Sequence, residues 1–153
     1  MNDADVSTAD PVPLAEFRYV TRARVAFCDI DMLRHVNNVA YVRWAETIRC
    51  AYVADVMEDL IDGRFGCILA NQSWTYLAPI AYRSDVAIAT RVSRIGTKSF
   101  DLVYEIRDET AGRLAARGTS ALVAFDYHEN ASVRVPEIWR ERIRAYERVA
   151  PVE

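Results

Sequence analysis

Lysine is almost missing from this chain: Lys98 is the only one, and arginine supplies the remaining basic side chains. The skew reads as genome composition, not chemistry. The 19 basic residues are outnumbered by 22 acidic ones, for a formal net charge of −3, and they form no basic run. A protein that tracks a nucleic-acid backbone needs the opposite balance and a clustered cationic face, so no nucleic-acid partner is expected. Cysteine is scarce too: Cys28, Cys50 and Cys67 are odd in number, widely spaced, and make no CxxC pair or Cys/His ligand spacing. Neither a disulfide framework nor a metal site is expected. No apolar run approaches the roughly 18 residues of a membrane-spanning helix, so no membrane partner is expected. The opening MNDADVSTADPVPLAE lacks the basic start and apolar middle of a signal peptide. It reads as a disordered tail over residues 1–15 of a cytoplasmic protein.

What remains, residues 16–150, has the size of one domain and, with 52% hydrophobic residues in the chain, enough apolar material for a core. From Phe17 to Cys28, Phe17, Tyr19, Thr21, Ala23, Val25 and Phe27 alternate with a side that includes Arg18, Arg22 and Arg24, which predicts a half-buried strand. After the loop DIDMLRHVNN the period turns helical, with Tyr41, Ala45, Ile48, Tyr52 and Val56 on one face. Asn37 or Asn38 can cap that helix, and Gly63 and Gly66 are expected to mark its end and the turn that follows. Four further alternating segments follow, Cys67–Tyr82, Asp85–Ile95, Ser99–Asp108 and Arg113–Asp126. Their connections are short, which predicts an antiparallel meander, and Pro79 predicts a bulge or edge position. A last amphipathic segment, Pro136–Arg148, opens with proline at the first helical position. One long apolar helix with a single sheet requires the sheet to curl around it, an α+β arrangement whose open strand edges invite dimerisation.

The stretch Asp29 to Tyr41 concentrates two carboxylates, one of the two histidines and two adjacent amides between a strand and a helix start. A helix start offers unpaired N–H groups and the positive end of a dipole, suited to a developing oxyanion. A carboxylate just upstream can act as base or nucleophile. These are the parts needed to hydrolyse an acyl bond.

The pattern D-x-D-x-x-x-H-V-N-N-x-x-Y, followed by Glu46 and Arg49, resembles the hot-dog acyl-CoA thioesterases of the 4-hydroxybenzoyl-CoA thioesterase type. The resemblance continues through Tyr76-Leu77-Ala78-Pro79-Ile80, through Arg94 to Phe100, and into the Pro136 helix, covering about residues 17 to 147. It implies a hot-dog fold, an antiparallel five-stranded sheet wrapped around one long central helix. It implies Asp31 in the catalytic position, the Asn38 backbone N–H as oxyanion donor, and His35 and Asn37 shaping the site. Arg94, Lys98 and Ser99 fall where the family meets coenzyme A, which is part of the substrate; no separate cofactor is implied. A homodimer or homotetramer is expected, because one helix start and one sheet make half a cleft. Arg34 departs from the pattern, standing where many members have glycine, whose backbone accepts a positive φ more readily.

Each residue also has a plainer reading. Asp31 alone reads as a cap or turn residue, Asp29 as a structural loop anchor, and Asn37 and Asn38 as ordinary caps. Glu46 reads as an ion-pair partner of Arg49 or Arg43. Trp44, Trp74, Tyr41 and Tyr76 read as core aromatics or as the lining of an acyl tunnel. Two rivals share the fold: a hydratase, whose Gly-Asp or His-Phe-Pro element is not found here, and a non-catalytic acyl-thioester-binding or regulatory protein.

Overall fold

Burial of one helix stripe organises the molecule. A computed structural model describes residues 14–58 and 63–153; of the expected tail, residues 1–13 lie outside the described residues, and Leu14–Glu16 form a short 3-10 turn. The elements that follow are β1 (Tyr19–Arg24), α1 (Asn38–Tyr52), β2 (Phe65–Tyr76), β3 (Asp85–Ile95), β4 (Ser99–Asp108), β5 (Arg113–Asp126), β6 (Ala131–Ser132) and α2 (Glu137–Tyr146). The antiparallel sheet runs β1-β3-β4-β5-β2, and the two-residue β6 adds to β5 as a sixth strand. This is the hot-dog arrangement that the sequence implies.

The helical face read from the sequence is the buried one: Tyr41, Ala45, Ile48, Tyr52 and Val56 are all buried. They meet Val86, Ile88 and Val92 of β3, Phe100, Leu102, Tyr104 and Ile106 of β4, and Leu122 of β5 in one core. Each side chain of that size contributes about 1.5–3 kcal/mol when fully buried. Beyond Tyr52 the helix widens into one π turn, Val53–Met57, and ends at Glu58 in the left-handed region. Gly66, expected in the turn, lies inside β2 instead.

Three expectations are corrected. The first strand is shorter than Phe17–Cys28: Phe17 and Val25 flank β1 and are buried, whereas Phe27 enters a 3-10 turn and is 80% exposed. The second segment ends at Tyr76, before Pro79, so the proline needs no bulge. Most consequentially, β2 and β3 are not neighbours, because β2 pairs with β5 while β3 pairs with β1 and β4. Residues 77–84 are a crossover across the sheet end, not a hairpin; eight residues span about 26 Å when extended, ample for three strand spacings.

At the other end, α2 is pinned through Glu147. Its Oε1 accepts hydrogen bonds from the Tyr52 hydroxyl (2.6 Å) and the Val92 N–H (2.8 Å), while Oε2 is buried without a hydrogen-bond partner among the described residues. Burial holds this carboxyl above the usual range, against the lowering effect of those two bonds. A group bound more tightly to its proton in the folded state stabilises the fold below its unfolded pKa. That contribution is lost as pH rises through the folded value. Glu147→Gln keeps the accepting oxygen and removes the titration. The melting temperature of this variant, minus that of the wild type, is expected to increase as pH climbs from the ordinary glutamate range upward; a pH-independent difference would contradict the assignment.

Candidate active site

Asp29 and Asp31 are separated by a single residue and do different work. Asp29 is 4% exposed, and its carboxylate accepts the Ala26 N–H at 2.9 Å and pairs with Arg43 of α1. Its carbonyl accepts the Asn37 N–H at 2.8 Å. Asp29 therefore ties the loop's start to its end, the structural role that the sequence assigns it.

Asp31 opens a tight turn. Its Oδ1 accepts the Leu33 N–H at 2.8 Å, its carbonyl the Arg34 N–H at 3.0 Å, and its own N–H donates to the His35 carbonyl at 3.2 Å. That turn forces Arg34 to a φ of 66°. The arginine thus keeps the path that glycine would take, at a backbone cost of roughly 1–2 kcal/mol. Arg34→Gly is expected to be neutral or to stabilise by up to about 1 kcal/mol, read by denaturant unfolding; a clear loss would mean that the side chain holds the loop.

Asn37 is the N-cap of α1: its Oδ1 accepts the Val39 N–H at 2.9 Å, and its Nδ2 donates to Asp31 Oδ2 at 3.3 Å. One amide thus links the carboxylate to the helix start. The first helical residue is Asn38, and among the described residues no acceptor takes its N–H. The loop is fastened to the crossover by the Val36 N–H bond to the Ile80 carbonyl at 3.0 Å.

An open cleft of about 280 Å³ lies here, lined by His35, Val36, Asn38, Tyr41 and the start of the crossover, Tyr76 to Pro79. Tyr41 packs edge-on against Tyr76 at 5.1 Å. Burial, reinforced by Tyr76, pushes the Tyr41 phenol up to about 12, so it stays a proton donor at neutral pH. Asp31 is not part of the cleft lining; Asn37 connects the two.

Arg94, Lys98 and Ser99 stand apart. They belong to the β3–β4 hairpin, at the far end of an 11-residue strand that is about 33 Å long. Arg94 Nε pairs with Asp101 at 2.7 Å, and Lys98 Nζ reaches the Ser132 carbonyl at 3.1 Å. One chain does not bring them to Asp31. Glu46 faces Arg49 at 3.9 Å, and Trp74 is half-buried, packed against the core over Gly118 and beside Tyr104. Cys28 is exposed, and so is His128, whose N–H is held by Asp126. Among the described residues, no three or more His, Cys, Asp or Glu side chains gather as a metal site, and no helix is long and apolar enough to cross a membrane.

Sequence reasoning passed over the depth of Arg49, which is 6% exposed. The available signal was a cation at an apolar position, between Ile48 and Tyr52 on the buried stripe.

Asn37→Asp separates the two jobs of Asn37. It keeps the cap acceptor but sets a second carboxylate where the donor to Asp31 stood, 3.3 Å away, so like-charge repulsion is expected to lower stability while any Asp31-dependent turnover falls. Asn37→Ala is expected to lose about 1 kcal/mol as well. Equal turnover in Asn37→Asp and wild type would uncouple Asn37 from the site.

Residues 25–143 match the family model of the Thioesterase-like superfamily. Among solved structures, a thioesterase from Thermus thermophilus complexed with coenzyme A and zinc is 32% identical. The match covers 86% of this chain and 96% of that one, with a TM-score of 0.76. A thioesterase-superfamily protein from Jannaschia sp. CCS1 is 25% identical, over 93% of this chain and 89% of that one, with a TM-score of 0.81. Among curated proteins, the uncharacterized YsmA of Bacillus subtilis strain 168 is 25% identical over 88 residues, 58% of this chain and 60% of its own length. With the family model spanning most of the sequence, including the whole Asp31-to-Tyr41 loop, the chain belongs to the thioesterase-like superfamily.

Proposed function

We propose that this chain hydrolyses an acyl-CoA or acyl-carrier-protein thioester to free acid and thiol, with Asp31 as base or nucleophile and the Asn38 N–H as oxyanion donor. The observation that carries this is the Asn37 amide, which holds a carboxylate on one side and organises a helix start on the other. The developing negative charge on the thioester oxygen is stabilised by the Asn38 N–H and the helix dipole. In the water-mediated route, Asp31 takes a proton from water as the new C–O bond forms. The C–S bond then breaks, and the proton passes to the departing thiolate. In the direct route, the carboxylate forms the C–O bond itself as the C–S bond breaks and the thiolate departs; water then cleaves the resulting anhydride, releasing the acid, restoring the Asp31 carboxylate and supplying the proton that the thiolate takes up. His35 and Tyr41 face the cleft and orient the thioester.

The active unit is a homo-oligomer built on β2. This 12-residue edge strand, FGCILANQSWTY, carries no charged side chain and exposes Ile68, Leu69 and Tyr76. The opposite edge, β1, is six residues long and carries two arginines. Charge and shortness protect an edge from pairing, and β2 has neither. Antiparallel pairing of β2 with its own copy is the closed solution. Pairing over its full length sets the Tyr76 end of one copy beside the Gly66 end of the other. The helix start of one copy then faces the far end of the other, where Arg94, Lys98 and Ser99 reside, which completes a cleft that one chain leaves half-built. Sedimentation at micromolar concentration is expected to return a dimer or tetramer; a monomer would overturn the shared site.

Thiol release from a panel of short, medium, long and aromatic acyl-CoAs tests the chemistry. Asp31→Asn can retain only one of the Leu33 and Asn37 bonds, and is expected to fold yet lose about 10²–10⁴ in rate. An undiminished rate would remove Asp31 from the mechanism. Binding without release from any thioester would favour the regulatory protein.

A further inference from the structure

A second cavity, of about 260 Å³, opens along the other half of the α1–β2 seam, lined by Val53, Cys67, Leu69 and Leu122 among others. Arg49 forms part of its wall. A cation with 8% of its side chain exposed is costly unless paired, and this one is poorly paired. Its Nη1 is buried with no hydrogen-bond partner among the described residues. Its Nη2 has Glu46 at 3.9 Å, beyond a normal hydrogen bond, and the Glu46 side chain is 66% exposed. The guanidinium also lies within reach of the Tyr104 hydroxyl oxygen, which can accept from it while bonded to Ser120 at 2.7 Å but is neutral and leaves the charge uncompensated. Guanidinium offers five N–H donors in a fork that fits a carboxylate. An apolar cavity with such a cation in its wall is suited to an apolar body that ends in a carboxylate.

The position of the cavity suggests where that body comes from. Arg49 is eleven residues along α1 from Asn38, about 16 Å within one chain. In the β2-paired dimer, however, the Gly66–Leu69 end of the seam lies beside the helix start of the other copy. We infer that Arg49 is a specificity-determining residue that receives a carboxylate on an apolar chain in the cavity between α1 and β2. That carboxylate is either the far end of an ω-carboxyacyl group whose thioester is held at the other copy's Asp31, or a free organic acid of the kind the reaction releases. The inference rests on the proposed thioesterase reading and on β2 pairing. Glu46 also lines the cavity, and its carboxylate, 66% exposed and 3.9 Å from Nη2, is the one the ligand displaces from the guanidinium.

The test compares kcat/KM for matched straight-chain acyl-CoAs with and without a terminal carboxylate, across a range of chain lengths, in wild type, Arg49→Gln and Arg49→Lys. Calorimetric titration of the corresponding free acids is run alongside. At one or a few chain lengths the wild type is expected to prefer the carboxylated thioester by roughly tenfold to a hundredfold, the range of a charge-assisted hydrogen bond. The ratio is expected to fall to about one in Arg49→Gln and to recover in part in Arg49→Lys, and because it is formed within each enzyme, a general loss of activity cancels. Free-acid binding that Arg49→Gln abolishes, without thioester preference, assigns the cavity to the free acid. Asp31-dependent hydrolysis with neither preference nor Arg49-dependent acid binding would overturn the inference and leave the thioesterase intact. Absence of hydrolysis from every thioester would overturn the functional reading itself, and acid binding alone would then decide the fate of the cavity.

Discussion

The side-chain amide of Asn37 is the point on which the site depends, because it has two ends and each holds a different element. Its oxygen takes the Val39 N–H, which starts α1 at residue 38; its nitrogen holds Asp31 Oδ2. An aspartate could cap the helix equally well, but when ionised it has no proton to donate to a carboxylate from the same position. Around this link the loop is over-determined. Asp29 closes it from behind through Ala26, Asn37 and Arg43, and Ile80 fastens it to the crossover. The strain of Arg34 at positive φ persists because so many bonds fix the turn around it.

The crossover of residues 77–84 matters as much as the loop. By carrying the chain from one sheet edge to the interior strand β3, it leaves β2 at the edge with its apolar side chains open. It also supplies the wall of the first cleft. Because α1 and β2 run in opposite directions along one seam, the chain has one cavity at the helix start and another beside Arg49. Only self-pairing of β2 brings opposite ends together. In the proposed enzyme, catalysis and substrate selection therefore come from different copies.

Periodicity made most of the fold legible. The buried stripe of α1 and the bounds of β3, β4 and β5 follow from alternation and helical spacing, since these elements face one core and little competes with the pattern. The pairing of β2 was not legible. A short connection ordinarily joins neighbours, and only the length that residues 77–84 reach when extended, together with Pro79, separates a crossover from a hairpin. Phe27 misled for a related reason: alternation continues past Val25, but the 3-10 turn that seats Asp29 overrides it. Within the site, the contrast between Asp29 and Asp31 could be argued from position, whereas the double role of Asn37 needed coordinates. Arg49 was visible as a cation on an apolar face, but its missing acceptor was not, because no sequence pattern reports an unpaired nitrogen.

The central claim is that the helix start receives the thioester oxygen beside Asp31. A crystal structure of Asp31→Asn soaked with a slowly hydrolysed acyl-CoA tests it most directly. The account predicts the thioester carbonyl oxygen about 2.7–3.1 Å from the Asn38 backbone nitrogen, with the carbonyl carbon within reach of the residue 31 side chain. A well-ordered acyl-CoA whose carbonyl lies away from the helix start would contradict it.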